Sequence, residues 1–269
     1  MTVRLLGRQG PGVRLRATLS NGNRIWEVGD PSGLPRNGLV ALYDPYRDAY
    51  GLDATARAAL QTGVDYSGRG NSLTYGANTN ASTDDPTNTG TAWSLDGGDY
   101  VQVADTAKLV ITGPFTLMTV FKSVTGTQVY NRILGKEGLF MLYWSTGTGY
   151  LLFTGNIGGG VLDTRPSLDP TKADLTLNTV NVASISYDGA GLTGYVNGVA
   201  IGAPYARTGA VKSDTPVPLT IGNRTAVDRG LKGNVYMGGV WERALSGAEQ
   251  LRAYRYLKSL MAGRGVTVA

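Results

Sequence analysis

From about residue 38 onward, apolar residues recur at every second position in short runs broken by Gly, Asn and Asp. Alternation at period two marks a strand that buries one face. Such runs cover 39–43, 100–103, 139–144, 150–153, 180–187, 192–196, 199–201, 219–222 and 233–241. The run 115–121 differs: Phe115, Leu117, Thr119 and Phe121 share one face, while Thr116, Met118 and Val120 share the other. Both faces are largely apolar, which predicts a central strand. Turn residues fall between the runs. Residues 145–149 (Ser-Thr-Gly-Thr-Gly) predict a five-residue hairpin loop, and Asp188-Gly189 and Asn197-Gly198 predict tight turns. About a dozen short strands at this spacing, nearly all antiparallel by hairpin connection, predict a β-sandwich. Period 3.6 is convincing once. Ser246 and Glu249 have the spacing of a capping box, Leu251, Tyr254, Leu257 and Met261 form an apolar stripe, and Gly263 ends the helix. Arg252, Arg255 and Lys258 then form a solvated outer face. A second short helix is predicted over 53–60, and a polar loop over 76–91.

Composition narrows the chemistry. The 269 residues include 39 Gly but no Cys and no His. Without Cys there is no disulfide framework, thiolate metal site or Cys nucleophile; without His there is no Ser-His-Asp triad and no imidazole acid–base catalysis. Glycine at about twice the usual ~7% signals many tight turns. No run of 18 apolar residues is present, and the first residues have neither the apolar core nor the small-residue cleavage site of a secretory leader. We therefore expect a chain that keeps its start Met, or one that leaves the cell without a leader, as a virion protein does at lysis.

Charge is placed unevenly. Residues 1–36 hold six arginines and two acids, net +4 of the chain's +5. Gly10-Pro11, Pro31 and Pro35 argue against a helix there, while the runs 13–17 and 24–28 around Asn21-Gly22 read as edge strands of a hairpin. The expectation is a basic N-terminal arm (1–36) that docks on an acidic partner through Arg4, Arg8, Arg14, Arg16, Arg24 and Trp26, because guanidinium pairs bidentately with carboxylates. Nucleic acid is the weaker partner, since no aromatic ladder accompanies the charges beyond Trp26.

Several segments, in order, resemble the concanavalin A-like sandwich and its laminin-G-like branch. They are Leu39-Val40-Ala41-Leu42-Tyr43-Asp44, the Asp65-Tyr66-Ser67-Gly68-Arg69-Gly70-Asn71 turn, Gly98-Asp99-Tyr100-Val101, the hairpin Ser186-Tyr187-Asp188-Gly189 to Tyr195-Val196-Asn197-Gly198-Val199, and the closing stretch from Gly233-Asn234-Val235 through Trp241-Glu242-Arg243-Ala244-Leu245-Ser246 to Glu249. The likeness runs from about Gly38 to Tyr254. A Trp-His common in the family is replaced by Asn178-Thr179-Val180-Asn181. The resemblance implies an all-β, two-sheet antiparallel jelly-roll sandwich (37–263) with one C-terminal helix, preceded by the extended arm and followed by a C-terminal tail (264–269). It implies no single function.

Hydrolases of similar fold carry a Glu-x-Asp-x-Glu run. Here the four Glu (Glu27, Glu137, Glu242, Glu249) are scattered, Asp84-Asp85 sits in a polar loop, and Asp96 and Asp99 flank a turn. No catalytic residue is assigned. No cofactor is required; calcium is a candidate through hard oxygens on Asp65, Asn71, Asp96 and Asp99, with no ligand set assigned. Aromatics beside polar donors give a candidate glycan-binding set: Asn131, Arg132, Tyr143, Trp144 and Tyr150, with Tyr130 and Tyr205-Ala206-Arg207 of similar character. Packing in the core or at a subunit interface accounts for the same rings more readily than a sugar site does. The favoured expectation is a non-enzymatic virion structural protein, a capsid decoration or tail component on the outside of a phage particle. It would bind the major capsid or tail protein through its arm, form a homo-oligomer with a trimer as one candidate, and face a cell-surface glycan; nucleic acid and membrane are not expected partners. The alternative is a bacterial carbohydrate-binding or adhesion module, and the third reading is a glycoside hydrolase of this fold.

Overall fold

The strands stand where period-two runs meet Gly and Asx turns. A computed structural model describes residues 14–18, 24–29, 34–124, 130–145, 149–164, 175–212 and 216–269, with backbone alone for 14–18, 24–29 and 162–164. In chain order the strands are β1 (Arg14–Thr18), β2 (Arg24–Gly29), β3 (Leu39–Tyr43), β4 (Thr62–Gly63), β5 (Leu73–Tyr75), β6 (Thr87–Asn88), β7 (Trp93–Asp96), β8 (Val101–Val103), β9 (Phe115–Ser123) and β10 (Asn131–Lys136). There follow β11 (Phe140–Ser145), β12 (Tyr150–Ile157), β13 (Gly160–Thr164), β14 (Asn181–Tyr187), β15 (Gly191–Val196), β16 (Val199–Ala200), β17 (Tyr205–Ala206), β18 (Leu219–Ile221) and β19 (Lys232–Trp241). The helices are α1 (Pro45–Asp48), α2 (Ala54–Ala58) and α3 (Gly247–Ala262).

One antiparallel sheet runs β13-β12-β11-β10-β18-β8-β5-β4. The other runs β16-β15-β14-β9-β19-β7-β6, with β3 also paired to β19 and β17 to β15. Inward side chains of both sheets form one core, including Tyr43, Trp93, Phe115 and Ile185 from the second and Tyr75, Phe140, Trp144 and Phe153 from the first. The outer face of the second sheet is also apolar: Leu39, Leu42, Met118, Val120, Met237 and Trp241 pack under Ala253, Leu257 and Met261 of α3. That second layer explains why β9 is apolar on both faces. Burying side chains such as Leu257 and Met261 stabilises by about 1.5–3 kcal/mol each.

The capping box of α3 is present, with Ser246 accepting from the Glu249 N–H and Glu249 accepting from the Ser246 N–H. Arg243 pairs with the same carboxylate and holds it well down, to about 2. The buried stripe, however, is Gln250, Ala253, Leu257 and Met261, not one that includes Leu251 and Tyr254. Those two are half-buried and meet the Asn197-Gly198 turn, where any Cβ on Gly198 would lie 2.9 Å from Tyr254. Neither that contact nor the left-handed backbone (φ 78°) permits another residue there.

The hairpin expected near the N-terminus exists: β1 and β2 pair antiparallel as a separate two-stranded sheet. Contact with the sandwich begins before residue 37. Leu34 is buried, the Pro35 carbonyl accepts from Trp241 Nε1 at 2.6 Å, and Arg36 reaches the Tyr66 carbonyl. Residues 264–269, set apart above as a tail, are likewise part of the packed body. Arg264 makes two hydrogen bonds to Asp44 (2.8 and 2.7 Å), both side chains being buried, and Val268 bridges Val180. The short helix α1, which places Asp44 and Asp48, was not anticipated.

Removing residues 1–32 should leave the midpoint of urea unfolding unchanged. Removing 1–36 should cost about 3 kcal/mol, because Leu34 is lost and the buried Trp241 N–H loses its acceptor. Equal unfolding curves for the two truncations would overturn this placement of the boundary.

Candidate functional site

The turn after β4 builds a knot. Asp65 accepts four hydrogen bonds: from Leu42 N (3.1 Å) and Ser67 N (2.8 Å) on Oδ1, and from Ser67 Oγ (2.8 Å) and Asn71 N (2.9 Å) on Oδ2. Asn71 donates to the Val40 carbonyl and accepts from Thr106. An ionised carboxylate has about four acceptor sites, so Asp65 and Asn71 are occupied in tying β3 to the 65–71 turn. They are not calcium ligands in this arrangement. Among the described residues, no group of three or more acidic side chains is gathered in a metal-holding geometry.

Asp96 and Asp99 sit on the sandwich rim. The Asp96 N–H donates to Asp99 Oδ2 at 2.6 Å, and Gly98 N–H donates to Asp96 Oδ1 at 2.7 Å. They line an open cleft of about 570 Å³ with Asp85, Ser94, Lys232 and Asn234. The 76–91 loop forms its other wall. Asp84 accepts from Ala77 N and Asp85 from Ser82 N, and the loop returns through β6 to pair with β7. Burial pushes the Asp99 carboxyl up to about 7; the hydrogen bond from Asp96 N opposes this, and the charges of Asp96 and Asp85 add to it. The cleft offers hydroxyl, amide, ammonium and carboxyl groups in an open trough, a lining suited to a polar ligand.

The predicted glycan set is split by strand geometry. Tyr143 and Trp144 are neighbours on β11 and therefore point to opposite faces. Trp144 is 1% exposed and belongs to the inter-sheet core. Tyr143 is also buried, edge-on to Tyr130 at 5.4 Å and beneath Arg132 at 5.0 Å. Asn131 is buried and donates to the Trp144 carbonyl at 3.1 Å. Tyr150 is half-buried at the start of β12. These five residues do not form one solvent-facing platform. Arg207 is also spent internally, on the carbonyls of Ile157 and Gly160.

Sequence reasoning missed the neighbours of Arg132. Glu137 lies 3.2 Å from Arg132 and 3.5 Å from Arg224; Arg224 also pairs with Asp228, and Arg229 lies over the Tyr130 ring at 5.5 Å. Buried Asn223 builds the loop that carries them. Its Oδ1 accepts from Arg224 N and Arg229 N, and its Nδ2 donates to Gly97 O. Val227 in that loop has φ 56°, a left-handed conformation costing a β-branched residue about 1–2 kcal/mol. The signal available in the sequence was Asn223-Arg-Thr-Ala-Val-Asp-Arg229, a charged loop opened by Asn. Of the arm candidates, Arg4 and Arg8 fall outside the described residues; Arg14, Arg16, Arg24 and Trp26 lie on β1 and β2.

Two antiparallel sheets packed face to face, with one terminal helix, define a jelly-roll sandwich of the lectin type. A family model described as the concanavalin A-like lectin/glucanases superfamily (Laminin_G_3) matches residues 95–249, more than half the chain, and the chain belongs to that family. No curated protein matches the sequence. Among solved structures, the chain is similar to domain 4 of AbnA, a GH43 extracellular arabinanase of Geobacillus stearothermophilus solved with arabinotriose (TM-score 0.58, 16% identity, covering 80% of this chain and 98% of that one). It is similar also to the binding domain of Paraclostridial Mosquitocidal Protein 1 (TM-score 0.55, 13% identity, 84% of this chain and 53% of that one). A third likeness is the receptor-binding domain of botulinum neurotoxin type G (TM-score 0.55, 12% identity, 82% and 52%). The chain thus spans about half of each toxin domain.

A carboxyl raised in the folded state is protonated there while its unfolded counterpart is ionised. Its contribution is complete below the ordinary carboxylate range and is lost as pH rises toward about 7. Stability should therefore fall between about pH 4 and 7. Asp99→Asn should flatten that fall and leave the variant more stable than the parent at pH 8. Urea titrations at four pH values check this, and an unaltered slope would refute the burial of Asp99.

Proposed function

We propose that this chain is a non-enzymatic display module whose sandwich binds carbohydrate at its rim. The open polar cleft between the 76–91 loop and the start of β19 carries the reading. It gathers Asp85, Ser94, Asp96, Lys232 and Asn234 around a space of about 570 Å³, with donors and acceptors matched to sugar hydroxyls. The family membership and the arabinotriose held by the arabinanase domain add support. In the finer form of the reading, residues 1–32 fasten the module to the acidic surface of a larger assembly. The assembly we favour is the capsid or tail of a virion; the alternative is a bacterial adhesion module with the same rim.

Hydrolysis is the second reading, and one observation favours it. Asp99, raised to about 7, shares the cleft with Asp96 and Asp85, and glycoside cleavage uses one protonated and one ionised carboxyl. Against it, Asp96 and Asp99 are each bound to backbone N–H groups within one four-residue turn.

Titration calorimetry against a panel of neutral oligosaccharides, with product analysis of the same mixtures, tests both. We expect binding without new reducing ends, and at least tenfold weaker binding for Asn234→Ala. Reducing ends that vanish in Asp99→Asn would establish hydrolysis, and silence across the panel would defeat carbohydrate binding. The arm is tested separately. Protein lacking residues 1–32 should stay folded and fail to co-sediment with its parent particle; undiminished co-sedimentation would end the anchoring proposal.

A further inference from the structure

Beside the cleft, across the backbone of the 223–230 loop, lies a group of charges that the neutral-sugar reading leaves idle. Among the described residues, Arg132, Arg224 and Arg229 face only two carboxylates, Glu137 and Asp228. Arg132 is 3% exposed, and its Nε is buried without a hydrogen-bond partner, as is Oε2 of Glu137. Desolvation lowers the pKa of Arg132; Glu137 opposes that, and the nearby charges of Arg229 and Arg224 add to it. A buried guanidinium crowded by two others is stabilised by an added anion. Among the described residues, Arg229 has no carboxylate in ion-pair reach, only the ring of Tyr130, which is 36% exposed. The backbone N–H groups of the two outer arginines donate to Asn223 Oδ1, so the loop that carries them is built without a ligand. The Arg224 fork is engaged by Asp228 and the Arg229 fork matches a ligand carboxylate bidentately, while the accessible Tyr130 ring offers a face to the apolar side of a sugar.

We propose that Arg224 and Arg229, backed by buried Arg132 and flanked by Tyr130, form a subsite for the anionic group of an acidic saccharide. The inference rests on the carbohydrate reading and names its ligand class. Glu137 occupies Arg132 and Arg224 in the free protein and acts as an internal competitor that the ligand anion displaces. The anion is a uronate carboxylate or a sulfate ester, chemically equivalent for these arginines.

The test uses the full chain and three probes: oligogalacturonate, its methyl-esterified neutral form, and a sulfated neutral oligosaccharide. Oligogalacturonate should bind at least tenfold more tightly than its ester, and the preference should shrink as NaCl is raised. Arg229→Ala and Arg224→Ala should each remove most of the preference without changing the affinity for the ester. Glu137→Gln should raise affinity for the acid severalfold, which a merely structural ion pair would not do. Arg229→Lys keeps the charge, loses the fork and should recover only part of the preference. Tight binding of the sulfated probe as well extends the anion to sulfate, whereas binding of the uronate alone restricts it to carboxylate; either supports the subsite. Equal affinity for acid and ester, insensitive to salt and to Arg229→Ala, overturns the subsite and leaves carbohydrate binding standing. Binding of none of the probes, with neutral sugars from the wider panel still bound, also overturns the subsite alone; silence everywhere removes both.

Discussion

The strand pair β9 and β19 must be kept dry on both sides, and the rest of the molecule is arranged around that demand. Phe115, Leu117 and Phe121 face the inter-sheet core, while Met118 and Val120 face the other way with Met237 and Trp241. A sheet with two apolar faces needs two covers. The eight-stranded sheet supplies one. Helix α3, the segment from Leu34 and the last residues supply the other. The buried Asp44–Arg264 pair closes this second cover across 220 residues of sequence. Replacing one partner of such a pair strands a desolvated charge, which costs more than the pair gains when intact. That layer is therefore committed to structure, and ligand chemistry is left to the rims and loops.

At the rim, two electrostatic environments lie back to back. The cleft side collects Asp85, Asp96 and Asp99; the far side of the 223–230 loop collects Arg132, Arg224 and Arg229. Gly230 allows this closeness, since a Cβ there would fall 1.9 Å from the Gly97 carbonyl. The separation also keeps the acids from quenching the arginines by direct pairing. Each side then has unused capacity: Asp99 holds a proton well above the usual carboxylate range, and among the described residues Arg229 rests on an aromatic ring instead of a carboxylate.

The fold was legible because period two, Asx-Gly turns and the Ser246/Glu249 capping box are local signals, and the structure places strands, turns and helix α3 where they fall. The buried face of α3 was less legible. Gln250 and Ala253 are weakly apolar or polar, yet they point inward; Gln250 does so because buried Ser184 meets it at 2.7 Å. Helix α1 is four residues long and has no period to read. The candidate glycan residues are dispersed for a physical reason. Composition identifies rings beside donors but not which face of a strand they occupy, and the alternation that revealed β11 already separated Tyr143 from Trp144. Two of the calcium candidates show the same gap: Asp65 and Asn71 have metal-binding chemistry, but nearby N–H and O–H groups take their oxygens. Loop 223–229 went unnoticed because its residues become neighbours of Arg132 only through long-range contacts. The Arg132 N–H donates to the Arg229 carbonyl, pairing residues 97 positions apart.

The charge asymmetry of the chain acquires a different meaning beside this rim. Nearly all the net charge lies in the first 36 residues, and a body close to neutral has little long-range field of its own. Selectivity for a charged ligand must then come from local placement. In the proposed subsite a buried arginine such as Arg132 would supply that placement, because a contact in a low-dielectric setting is screened by salt less than a distant basic arm is. The two proposed tasks thus belong to different distances. In the proposed arrangement a basic segment would attract an extended acidic surface over a Debye length, while the three guanidinium groups would discriminate one anion from its ester at contact. A single chain can attach to one partner and select another without the two electrostatic tasks interfering.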